Sequence, residues 1–128
     1  MRRIVMIAAV LSATVGLVPI ARAQHRPNSY CSESGDVCQS TKKEHGVRRL
    51  KIGLGAKYFS RYHLCVVAPD DTRSCIKRKI TDQGASYGDS VNWATHFPGK
   101  GEGEYDVIWR QGGSRLGKVL GFDIPDRA

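Results

Sequence analysis

The 128-residue chain lacks the short motifs that announce a reaction. No Gly-x-Ser-x-Gly occurs, so there is no nucleophile elbow of the hydrolase kind. No His-x-x-x-His or Cys-x-x-Cys spacing occurs either, and His25, His45, His63 and His96 are scattered, so no metal site is expected. Gly53-Leu54-Gly55 has neither the third glycine nor the following helix that a dinucleotide loop needs, and no cofactor is expected. No stretch of the chain after the first 23 residues carries a convincing helical period.

Charge is missing from one segment in a way that has a meaning. Ile4 to Ile20 carries none, Arg2 and Arg3 precede it, and Ala21-Arg22-Ala23 places small residues where a signal peptidase reads. Residues 1–23 are therefore expected to be a signal peptide. An uncut membrane anchor is the competing reading, although the apolar run is marginal against the about 20 residues a spanning helix takes. Without Arg2, Arg3 and Arg22 the net charge falls from +8 to +5, a mild excess that does not mark a dedicated nucleic-acid binder. The 105 residues from Gln24 to Ala128 are enough for one domain. Its limits are expected at 30–124, after a flexible lead-in at 24–29 and before a tail at 125–128.

What is present is alternation and turn chemistry. Tyr105, Val107 and Trp109 alternate with Asp106, Ile108 and Arg110, then Gly112-Gly113 supplies a two-residue turn before Leu116, Leu120 and Phe122. That turn puts Trp109 opposite Leu116 and Tyr105 opposite Leu120 on the core side. All four cysteines follow the signal segment, as in a secreted protein with paired thiols. Cys31 and Cys38 flank a turn at Ser34-Gly35. A direct Cys65–Cys75 bond sets Leu64 against Ile76 and Tyr62 against Arg78, and leaves Pro69-Asp70-Asp71 in the loop. These self-consistent registers favour the two hairpin disulfides over the two crossed pairings.

Strands are expected near Cys38 and over residues 47–54, 60–67, 74–80, 90–95, 104–111 and 114–122, with Trp93 and Trp109 inward. About seven antiparallel strands without a helix point to an all-β, two-sheet sandwich. At Gly103-Glu104-Tyr105-Asp106-Val107 the chain resembles the entry to the sixth strand of immunoglobulin-like and fibronectin type III sandwiches. There a corner tyrosine, here Tyr105, folds back onto the preceding loop. Val107 stands where antibody-type domains carry a cysteine, so the inter-sheet disulfide of those domains is absent. With Tyr30-Cys31-Ser32, Gly35-Asp36-Val37-Cys38 and Arg115-Leu116-Gly117, the chain is similar to small secreted actinobacterial proteins. The resemblance implies an immunoglobulin-like fold and an extracellular setting, and brings no activity with it.

Asp70, Asp71, Asp82 and Asp89 fall in expected loops and read as solvated turn residues, not a catalytic pair. In an immunoglobulin-like topology the hairpins bring Arg61, His63, Lys77, Lys79, Arg110 and Arg115 to one solvent face, with Asp106 the one carboxylate among them. The reading that follows is a secreted, non-enzymatic binding module whose partner is an anionic cell-envelope polymer or another extracellular protein. An inhibitor or effector acting through the stapled loop from Pro69 to Arg73 is the alternative, and a hydrolase is the weakest of the three.

Overall fold

A computed structural model describes residues 25–126. The expected signal segment, Gln24 and the last two residues lie outside the described residues. The chain forms an immunoglobulin-like sandwich of two antiparallel sheets. Its strands are β1 (Ser29–Cys31), β2 (Val37–Ser40), β3 (Lys43–Glu44), β4 (Val47–Leu54), β5 (Arg61–Val67), β6 (Arg73–Lys79), β7 (Thr81–Asp82), β8 (Tyr87–Asn92), β9 (Gly103–Gln111) and β10 (Ser114–Ile124). The first sheet has the order β1-β2-β4-β8-β7, with β3 also on β4; the second has the order β10-β9-β5-β6.

Period-two patterning builds the core. Leu50, Ile52 and Leu54 of β4 and Val91 of β8 face Tyr62, Leu64 and Val66 of β5 and Tyr105, Val107 and Trp109 of β9, all buried. Both disulfides join directly facing residues, Cys31 with Cys38 and Cys65 with Cys75, and none of the four cysteines is free. Leu64 meets Ile76 and Tyr62 meets Arg78, as the register argument requires. Two disulfides indicate an oxidising, extracellular setting. No helix among the described residues is long and apolar enough to cross a membrane.

Polar bolts tie the sheets together. Gln39 of β2, buried, donates from Nε2 to the Leu116 carbonyl of β10 at 3.0 Å, and Thr41 donates from Oγ1 to the Gly121 carbonyl at 2.7 Å. Across the other side of the sandwich, the buried Asp89 of β8 accepts the Tyr62 hydroxyl at 2.8 Å and a two-pronged Arg78 guanidinium at 2.7 and 2.8 Å. Asp89 is therefore no solvated loop residue. It sits in a strand and alternates inward with Val91, where its charge is met by Arg78.

Three further expectations change. The strand placed over residues 90–95 ends at Asn92, whose side chain accepts from the Ala94 amide at 3.0 Å and caps a single helical turn, α1 (Trp93–His96). Trp93 still reaches the core, edge-on to Tyr105 and Phe122 with ring centroids 5.2 Å from each. In the terminal hairpin Trp109 does face Leu116, but beyond an irregularity at Gly117 the pairing is Leu120 with Val107 and Phe122 with Tyr105. The offset is two residues, so every inward side chain stays inward. Gly117 takes φ +67° there, and a Cβ on it would collide with the Gln39 amide. Lastly, the lead-in is docked: the Gly121 amide donates to the Pro27 carbonyl at 2.9 Å and the Thr41 amide to the Asn28 carbonyl at 3.0 Å.

The tyrosine corner is present. The Tyr105 hydroxyl donates to the Gly101 carbonyl at 2.7 Å and accepts from the Lys100 amide at 2.9 Å, while its ring stacks on Phe122.

Candidate functional site

The outer face of the β10-β9-β5-β6 sheet carries the six basic residues singled out in the sequence, and the ladders order them. Lys77 of β6 faces His63 of β5, His63 faces Arg110 of β9, and Arg110 faces Arg115 of β10. These four form one row across the sheet. With strands about 4.8 Å apart the row spans roughly 14 Å. One position along, Arg61 faces Lys79. A shallow cleft of about 310 Å³ runs between β5 and β6, lined by Arg61, His63, Lys77 and Lys79 above the inward Tyr62 and Arg78.

Local bonds steer two of these groups. Arg110 donates from Nη2 to the Gly113 carbonyl at 2.9 Å, and Arg115 from Nε to the Gly117 carbonyl at 3.2 Å. Both guanidiniums are thereby held at the turn end of the hairpin with donors to spare. None of the six makes an ion pair among the described residues. Like charges directly opposite one another are unfavourable, so the row is a concentration of positive potential that an anion relieves.

Asp106 does not share the row. It faces Val67 and Gly121 farther along the strands, with Ile108 and the Cys65–Cys75 bond between it and the basic residues. The charge along the face is uneven: among the described residues the Gly112 end carries cations alone, while at the other end carboxylates are mixed with Arg26 and with Arg73, which lies opposite Val67 in the row of Asp106. Glu104 and Asp123 face each other directly there, an arrangement stabilised by the docked lead-in. The Arg26 amide donates to Glu104 Oε2 at 3.0 Å, the Arg26 guanidinium lies 3.5 Å from Asp106, and His25 Nδ1 lies 3.4 Å from Glu104.

Of the groups able to hold a metal, one cluster stands out among the described residues. The ligand atoms of His25, Glu104 and Asp123 lie within 4.8 Å of one another. Spacing along the chain gives no hint of it, because the lead-in, β9 and β10 each supply one residue. Glu104 of this cluster also accepts the Arg26 amide and so holds the lead-in against β9.

The remaining faces are quieter. A depression of about 520 Å³ on the outside of the first sheet is floored by Ser40, Gly53 and Ser90 beside Lys51. The Lys51 ammonium is 2.8 Å from Glu44, and this bond holds the Glu44 carboxyl below the usual carboxylate range. In the stapled loop, Asp70 Oδ1 accepts the Thr72 amide at 2.9 Å; the Thr72 side chain first and this amide second hold the Asp70 carboxyl below its ordinary pKa, and Asp82 Oδ1 accepts the Gly84 amide at 2.9 Å. These aspartates hold turns together.

No family model, curated protein or solved structure matches the chain.

Proposed function

We propose that the protein is secreted after removal of its first 23 residues and works as a non-enzymatic binding module that holds an anionic polymer outside the cell. The observation that carries this reading is the row Lys77–His63–Arg110–Arg115 with Arg61 and Lys79 beside it, six basic groups on a rigid sheet with no carboxylate paired to them among the described residues. A polymer with repeated negative groups engages several of these cations at once, while a lone anion engages one or two. The shared chemistry is a linear polyanion, which a sulfated glycan and a phosphodiester envelope polymer both provide.

Retention on dextran sulfate and on poly(glycerol phosphate), followed as salt is raised, tests the reading and separates the two sources. The wild type should be held at low salt and released as the Debye length falls below about 8 Å. Charge reversal at Lys77, Lys79 and Arg115 should abolish retention. Reversal at Arg49 and Lys51, on the other sheet, should change it little. Equal loss from both sets points to diffuse charge instead of a site, and failure of the wild type to bind either polymer at low salt ends the proposal.

The second reading, an inhibitor acting through Pro69–Arg73, draws on the loop's preformed shape. Asp71 holds φ +69° and Gly103 packs against the Pro69 ring so closely that a Cβ on it would lie 2.8 Å away. Substitutions at Asp70 to Arg73 should abolish an inhibitor's effect and leave polymer retention unchanged.

A further inference from the structure

We infer that His63 is the proton-linked member of the basic row: a polyanion lying across the strands draws a proton onto its imidazole, and binding is therefore stronger in mildly acid surroundings. This rests on the polyanion reading above and adds a regulation to it.

Placement carries the argument. His63 occupies an interior strand, with Lys77 directly opposite on β6 and Arg110 directly opposite on β9. On its own strand Arg61 and Cys65 share the face; diagonally placed are Lys79 and Cys75 on β6 and Ile108 on β9. No carboxylate belongs to that set. A chain of negative groups that spans from Lys77 to Arg110 must cross the ring, which is exposed. Lysine and arginine keep their charge throughout the physiological range, whereas an imidazole changes its own between about pH 5 and 8. A negative group within about 4 to 6 Å favours the charged form of a titratable side chain. Linkage makes the effect reciprocal: if the polymer favours the proton, the proton favours the polymer to the same degree. The other described histidines lie off the row, His25 beside Glu104, His45 in the turn before β4 and His96 against the Asn92 carbonyl in α1.

Dextran sulfate is the probe, because sulfate esters keep their charge over the whole interval. Its affinity is measured against salt concentration at about pH 5.5 and about pH 8, and proton uptake is measured by calorimetry in two buffers of different ionisation enthalpy near pH 6.5. The wild type should bind more tightly at the lower pH, with a log–log salt slope steeper by about one, as one added cation contact gives. It should also take up a substantial fraction of one proton. His63→Asn should give the same slope at both pH values and take up none, whereas His25→Asn, His45→Asn and His96→Asn should behave as the wild type. Equal slopes and affinities in the wild type would overturn the inference while leaving the polymer site standing, and so would a pH dependence that survives in His63→Asn. A wild type that binds at neither pH overturns both.

Discussion

Asp89 is the residue whose removal tests the architecture most sharply. Its carboxylate belongs to the first sheet and, among the described residues, is gripped by side chains of the second, Tyr62 and Arg78, through bonds of 2.7 to 2.8 Å. Asp89→Ala deletes all three bonds and leaves the buried Tyr62 hydroxyl without its acceptor. Removing one partner of a buried charged pair costs about 3 to 5 kcal/mol. The Arg78 side chain is 27% exposed and regains water when released, which places the expected loss at the low end, about 3 kcal/mol. That is a large share of the about 5 to 15 kcal/mol that holds a domain folded, and corresponds to a fall in Tm of roughly 12 to 24 °C. Urea unfolding of the disulfide-intact protein reads the loss as a lower midpoint at unchanged slope. Tyr62→Phe alone should cost about 1 kcal/mol. Combined with Asp89→Ala it should cost less than the sum, because the phenylalanine leaves no hydroxyl to strand. A loss below about 1 kcal/mol for Asp89→Ala, or strict additivity of the pair, would refute the claim that this clamp couples the sheets.

Two other outcomes follow from named contacts. Tyr105→Phe should leave the fold intact and lower stability by about 1 to 2 kcal/mol, since it removes two bonds at the corner, and an unchanged urea midpoint would deny the corner any energetic role. Burial, then the neighbouring Asp89 carboxylate, raises the Tyr62 pKa well above its ordinary 10.0, so the folded protein keeps a proton that the unfolded chain releases above about pH 10. Stability from this group is complete below that pH and declines by about 1.4 kcal/mol per unit above it; alkaline unfolding curves should therefore be shallower for Tyr62→Phe, and identical curves would contradict the assignment.

The parts of the fold legible in the sequence are those decided by neighbours in a ladder. Cys65–Cys75, Leu64 with Ile76 and Trp109 with Leu116 all follow from a turn position and a count. Counting fails where the backbone departs from the pleat. Gly117 at positive φ lies where extra chain enters β10, and nothing local distinguishes it from the other glycines of that hairpin, because the group that fills the space of its missing Cβ is the Gln39 side chain from β2. Asp89 reads as a loop residue for a related reason: it alternates with Val91, but a carboxylate facing a core makes sense only where Arg78 meets it. Ser90 to Thr95 alternates well enough for a strand, yet Asn92 caps a helical turn that swings Trp93 onto Tyr105 and Phe122. The six basic residues came together because register alone carries them. The cluster of His25, Glu104 and Asp123 is invisible in the sequence because three remote segments build it.

The docked lead-in has a mechanical corollary. His25, the first described residue, lies against Glu104 and beside the Pro69 loop, and the basic row lies at the far end of the same strands. From Glu104 to Arg110 along β9 is six residues, roughly 20 Å. A support joined to the docked lead-in therefore tethers the module by the end that carries Glu104, Asp106 and Asp123 and presents the basic row outward. A tether at that end sets orientation as well as position: the end of mixed charge toward the support, the basic row toward whatever drifts past.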